Sequence, residues 1–307
     1  MSTYPTSAEP SWRRGALLWQ VAAVVCACAI VTAVAAQTAA NLRARGIDTG
    51  FGYLGRGAGF EIAPGVVPFT SNDTFARALA LGVVNTARIA AFGIVAAGVL
   101  GVAVGIARLS SIRVVAAAAR VYVESVRNVP LLLQILCWAA LLQRLPDSSA
   151  PWHPLRGLTL TNRELSLLGG SLTVSPEFAA LLVALSTYTA AFIAENVRGG
   201  IEAVARGQQE AAAALGLSRL QALRTVVLPQ ALPVIIPPTI SQFVNLLKNS
   251  SLAAAIGYPD LMSITNTTIN QTGQAIEAFA VAMALYLTAN VGIAGSARAL
   301  FRKRRAD

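Results

Sequence analysis

The sequence predicts an all-α, polytopic membrane protein with about six transmembrane helices. Two observations carry this. Hydrophobic residues make up 55% of the 307 and charged residues 12%, where soluble domains carry about a quarter charged, and the mean hydropathy is +0.60. Apolar runs near the ~20 residues needed to cross a bilayer recur along the chain, near 16–40, 84–107, 129–143, 178–197, 232–257 and 276–297. The formal charge of +10 does not point to nucleic acid, because the basic residues form no stripe with interleaved aromatics.

The first run follows a short N-terminal segment, residues 1–15. Arg13 and Arg14 precede it and Ala33-Val34-Ala35 offers small residues, as a cleaved signal would. Its apolar length exceeds a signal core, so a retained helix over 16–40 is expected. A glycine-rich outer loop, 41–77, follows, and then the main membrane domain, 78–300. The second run carries Arg88, close enough to the outer end to snorkel. The third is short unless it begins at Val121. Between the third and fourth lies a second long outer segment, Leu145 to Pro176, holding the only histidine, His153. With no second histidine and no nearby cysteine, His153 reads as a surface residue and no metal site is expected. Cys26, Cys28 and Cys137 lie in apolar runs and read as small packing residues. A basic cytoplasmic tail, 301–307, ends the chain.

Six spans put both termini on one side of the membrane. A cytoplasmic placement leaves fifteen Lys/Arg in cytoplasmic segments and seven outside, the bias that sets orientation.

No Gly-x4-Gly-Lys-Ser/Thr phosphate loop is present, and the lone histidine completes no catalytic set. Catalysis by this polypeptide is not expected, and no cofactor is expected in the chain. Uphill work would need a partner or an ion gradient.

Polar residues inside membrane runs are costly and therefore candidates for function. Ser241, Asn245, Lys248 and Asn249 recur at helical spacings and share one face of the fifth run. That face either looks into a polar cavity or bonds neighbouring helices. Glu195 ends the fourth run, where it can pair with Lys248, with a substrate ammonium, or with Arg198 one turn away. Pro130 breaks the run from Arg127 to Gln134, which leaves backbone groups to face a cavity; Leu131 and Gln134 follow it.

One polar segment, 200–230, is helix-prone and stranded between apolar runs. Gln208 to Leu215 are mostly strong helix formers, Gly216 suits a C-terminal cap and Ser218 can open a second helix. Two short helices meeting at a glycine bend are expected, with Pro229 and Pro233 marking the return to apolar sequence.

The pattern Glu210-Ala211-Ala212-x3-Gly216-x9-Val226-x-Leu228-Pro229 resembles the EAA loop in transmembrane subunits of binding-protein-dependent ABC importers, with Val226 where isoleucine is usual. Arg127-Asn128-Val129-Pro130-Leu131-Leu132-Leu133-Gln134 is similar to the Arg-Gly-Thr-Pro-Leu-Leu-Val-Gln segment of the polar amino acid permeases in that family, departing at Asn128 and Val129. Ala194 to Ile201 and Leu247 to Leu252 resemble two further segments of the same permeases, and the resemblance runs from about Asn85 to Arg298. The long first run and large outer loops look most like the general L-amino acid permease branch.

The resemblance implies a type I importer fold with a cytoplasmic coupling helix carried by Glu210, Ala211, Ala212, Leu215 and Gly216. It implies ATPase subunits that bind ATP and Mg, a second permease subunit, identical or different, and an extracytoplasmic amino-acid-binding protein, in a bacterial inner membrane. Substrate pathway candidates are Leu131, Gln134, Glu195, Asn245, Lys248 and Asn249. The alternative is a stand-alone ion-coupled transporter or channel with Glu195 and Lys248 as charge relay, which leaves the Glu210 segment unexplained; a membrane enzyme would lack a catalytic set.

Overall fold

A computed structural model describes residues 11–44, 46, 49–62 and 67–303. Most of the N-terminal segment, Arg45 and the last four residues of the basic tail lie outside the described residues. The chain divides into two units, residues 1–51 and 52–307. The first is the helix α1 (Ser11–Ala44), whose Leu18–Ala44 stretch is long and apolar enough to cross a membrane.

The second unit holds α2 (Phe75–Arg108), α3 (Arg113–Asn128), α4 (Leu131–Gln143), α5 (Pro176–Glu202), α6 (Arg206–Ala214), α7 (Arg219–Ala222), α8 (Leu228–Asn249), α9 (Leu261–Thr272) and α10 (Ala275–Lys303). Among the described residues five helices, α1 among them, pass as spans by length and composition, and α3 with α4 form one pair, bent by 103°, that would make a sixth span. The third span therefore does not start at Val121 as one straight helix. Val129 is extended, at φ −98° and ψ 127°, as the residue before a proline must be.

The centre of the unit is α5, packed against α2, α4 and α8. Small residues let the backbones approach. A Cβ at Gly101 of α2 would lie 2.6 Å from Cβ of Ile193, one at Gly105 2.7 Å from Cβ of Val197, and one at Gly200 of α5 2.3 Å from Cγ1 of Ile235 on α8. Around these contacts Ile89, Leu181, Leu185, Ile193, Leu246 and Leu247 are buried.

Residues 52–62 and 67–74 fold as a small cap. Ala58 N–H donates to Asp73 O at 2.7 Å and Phe75 N–H to Arg56 O at 3.1 Å. Tyr53, fully buried, meets Phe75 edge-on at 5.9 Å, and both cluster with Ala278 of α10. Thr74 then caps α2 by accepting the Arg77 N–H.

The loop before α5 is not irregular. It forms an antiparallel meander of β1 (Trp152–Leu155), β2 (Leu158–Leu160), β3 (Leu165–Leu167) and β4 (Leu172–Val174), in that order. Leu160 pairs with Leu165, Leu165 with Val174 and Leu167 with Leu172, while Thr159, Ser166 and Thr173 align on the other face. Period-two alternation of leucine with Thr or Ser is the cause. His153 sits on β1, its Nδ1 3.0 Å from Thr159 Oγ1.

Helix α9 lies between the last two spans. It docks on α2 where Gly82 leaves room: a Cβ there would lie 2.8 Å from Cα of Leu261. A buried polar clamp fixes the approach. Asn85 Nδ2 donates to Pro259 O at 2.9 Å, Leu261 N–H to Thr86 Oγ1 at 3.0 Å, and Tyr286 of α10 donates to Asp260 at 3.0 Å.

Candidate functional site

Two places carry the residues singled out in the sequence. In the first, α6 ends in a two-bond glycine cap: Leu217 N–H donates to Ala212 O at 3.1 Å and Gly216 N–H to Ala213 O at 2.9 Å. Gly216 stands at φ +76°, a left-handed conformation that a side chain disfavours. Ser218 then opens α7 with a reciprocal capping box, its N–H donating to Gln221 Oε1 at 2.9 Å. The geometry is the predicted pair of short helices meeting at a glycine.

Within it, Glu210 and Ala211 are exposed and Leu215 is 81% exposed, whereas Ala212 is buried. Ala212 therefore packs the element inward, and Glu210 and Leu215 present it outward. Exposed Leu220 adds a second unpartnered apolar group. The chain continues through a π-helical stretch, Leu223–Val227, straight into α8. Gln230 on α8 donates to Gln208 of α6 at 3.3 Å, which ties the element to the span.

The second place is the C-terminal half of α8. Ser241, Asn245 and Lys248 are exposed on one face and Asn249 is half-buried, as the spacing predicts. Lys248 makes no ion pair with any described residue. A cleft between α2 and α10, lined by Ala87, Ala90, Ile94 and Leu285, is almost wholly apolar and offers nothing to a zwitterion.

Three pathway candidates are placed elsewhere. Glu195 does not reach Lys248: it pairs with Arg108 at the end of α2 and with Arg198 on its own helix, and Arg198 also pairs with Glu202. Of the alternatives open in the sequence, the structure takes the Arg198 pair and adds Arg108, which the sequence reading did not consider. Gln134 is half-buried and engaged with the backbone at the proline break. Its Nε2 donates to the carbonyls of Val126 and Val129, each at 2.9 Å, so it satisfies the acceptors that Pro130 leaves without a helical donor. Leu131 is buried in the central core.

The sequence reading also passed over Gly101 and Gly105, although a glycine pair four residues apart in an apolar run is a helix-packing signal. The Asn85, Thr86 and Asp260 clamp spans about 175 residues of sequence and carries no local signal.

Residues 77–306 match the family model described as binding-protein-dependent transport system inner membrane component. The chain is 36% identical to the general L-amino acid transport system permease protein AapQ of Rhizobium johnstonii, over 92% of this chain and 90% of that one. It is 33% identical to the glutamate/glutamine/aspartate/asparagine transport system permease protein BztB of Rhodobacter capsulatus, over 82% and 85%. Among solved structures, one titled as an amino acid ABC transporter with histidines superposes with a TM-score of 0.58 at 26% identity, covering 75% of this chain and 95% of that one.

Proposed function

This chain belongs to the family of binding-protein-dependent transport system inner membrane components, and from that membership we propose that it is the membrane-spanning permease subunit of an ATP-driven importer of L-amino acids. The observation that carries the proposal is the helix, glycine cap and helix at Arg206–Ala222, whose exposed face offers Glu210, Leu215 and Leu220 and which runs unbroken into α8. An outward-facing polar element that carries uncovered leucines and leads directly into a span is suited to a protein partner. An ATPase subunit that binds ATP and Mg fits that role.

In this reading the termini and the docking element are cytoplasmic, in accord with the Lys/Arg bias. A soluble binding protein delivers the amino acid on the outer side, and a second permease subunit closes the cavity that the Ser241, Asn245 and Lys248 face lines. Lys248 complements the substrate carboxylate there. Closure of the ATPases moves the docking elements, and hydrolysis resets them. Each membrane domain alone holds no nucleotide; energy enters through the α6–α7 element.

Two variants test the docking assignment in the reconstituted complex. Gly216→Val forces a β-branched residue into the left-handed region, at a cost of about 1–2 kcal/mol, and no neighbour within 4 Å adds a clash, so the bundle stays folded. Its ATP-dependent uptake is expected to fall at least tenfold with membrane insertion unchanged. Wild-type uptake in that variant would refute the assignment. Glu210→Lys, on the exposed face, is expected to cut co-purification of the ATPase while the thermal midpoint of the permease holds; full recovery of ATPase would count against it.

A further inference from the structure

We propose that α3 is an amphipathic anchor lying in the cytoplasmic leaflet of the bilayer, where Arg113 and Arg120 hold the headgroups of anionic phospholipids. The inference rests on the cytoplasmic placement of the α2–α3 turn given above.

Geometry sets the depth. The thirteen residues of α4 span about 20 Å at 1.5 Å per residue, roughly 10 Å short of the ~30 Å hydrocarbon layer. Since α4 leads outward to the meander and α3 meets it at 103°, α3 runs along the membrane plane near the level where α4 begins. That is the depth at which interfacial helices rest, about 5–10 Å into the boundary. Contacts with α5 agree: Tyr122 OH donates to Thr187 O at 2.7 Å, and Val123 packs on Ala191 and Ala194 in the inner half of that helix.

The sides of α3 then divide the chemistry. Ala119 and Val123 face the bundle and are buried. Val114, 77% exposed, and Val121, 62% exposed, form an apolar stripe with no protein against it. Arg113, Ala117, Arg120 and Glu124 share a third stripe at helical spacing, all exposed. Arg127 is engaged over the Phe192 ring at 4.9 Å, whereas Arg113 and Arg120 pair with no described acid. A valine stripe beside two unengaged guanidinium groups matches acyl chains beside phosphates. A protein covering the valines would have to take both cations out of water with Glu124 the one acid on the helix.

The test uses the complete complex, with Cys26, Cys28 and Cys137 replaced by alanine and a nitroxide attached at Val114→Cys, Ala117→Cys or Val121→Cys. Labels at 114 and 121 are expected to collide with oxygen and be shielded from a water-soluble nickel chelate; the label at 117 should show the reverse. Shielding of 114 and 121 from both reagents would mean a protein covers the stripe, and would overturn the proposal. In a second arm, the complex is reconstituted in phosphatidylcholine vesicles with and without phosphatidylglycerol. Selection for phosphatidylglycerol by the wild type should drop about fivefold per charge in Arg113→Gln/Arg120→Gln, the fold-change that corresponds to ~1 kcal/mol per arginine near an anionic surface. Unchanged selection would overturn it too. An impermeant thiol reagent that reaches Ala117→Cys from the cell exterior would instead show that the topology itself is inverted, and so separates failure of that reading from failure of the lipid contact.

Discussion

Adding one methyl group at Gly105 is expected to destabilise the permease, while the same change at Gly292 stabilises it slightly. At Gly105 the new Cβ would sit 2.7 Å from Cβ of Val197 and 2.9 Å from Ala194 O, and neither is the end of a flexible side chain. The two helices must separate, and overpacking of this kind costs about 1–3 kcal/mol. Gly101→Ala meets Ile193 and Ala190 O in the same way. With both changes, α2 and α5 lose their contact along two turns and the complex should not assemble. At Gly292 nothing lies within 4 Å, so alanine there only removes glycine's entropy cost, a gain of roughly 0.5–1 kcal/mol. Thermal midpoints of Gly101→Ala, Gly105→Ala and Gly292→Ala in one lipid and one complex read the sign directly. Equal midpoints would mean that the α2–α5 approach is not as close as described.

Glu195→Gln and Lys248→Met should fail in opposite ways. Glu195 lies between Arg108, 12% exposed, and Arg198. Removing its charge leaves Arg108 without an anion and Arg198 with Glu202 alone. Breaking a fully buried pair costs about 3–5 kcal/mol; with Glu195 still 29% exposed, on the order of 2 kcal/mol is expected here. The loss should appear in the melting temperature of the complex, and Arg108→Gln should reproduce it. Lys248 has no ion-pair partner among the described residues, so methionine removes an unmatched charge at membrane depth, a group that costs about 2.5–3.5 kcal/mol on insertion scales. Stability should hold or rise, and amino-acid uptake should fall at least tenfold. A melting loss for Lys248→Met together with a stable Glu195→Gln complex would reverse the two roles.

What the sequence disclosed follows from which forces are local. The glycine bend at 216 was legible because cap chemistry acts within six residues, and the polar face of α8 because helical pitch fixes which residues share a side. The break at Pro130 was legible too, but its 103° angle was not, and neither was the use of Gln134 to close it. Helix α9 was missed because Thr265, Thr267, Thr268 and Thr272 make it polar by composition. Its hydroxyls fold back on the carbonyls four residues earlier, at 2.7–3.1 Å, and this lets the polar sequence enter the bundle. The β-meander was available in the alternation Leu-Thr-Leu, Leu-Ser-Leu and Leu-Thr-Val, but strands of three or four residues are too short to stand out within one long outer segment. For Glu195 the Arg198 pairing was legible because it lies three residues away, while Arg108 comes from 87 residues upstream and has no local signature.

The continuity of the chain from Arg219 to Ile256 has a mechanical side. The stretch passes as one span of 38 residues, with a π-helical turn at Leu223–Val227 and Pro233, Pro237 and Pro238 inside it, so the cap at Ser218 and the ammonium of Lys248 stand near opposite ends of one continuous helical rod, at most about 45 Å apart at 1.5 Å per residue. A rod of that length works as a lever. If an ATPase rocks its lower end so that the rod tilts by about 5°, the upper end swings by roughly 4 Å, more than the span of a hydrogen bond. No unwinding and no relay of side-chain moves is required. Lys248 would be carried toward or away from a bound carboxylate by the stroke itself.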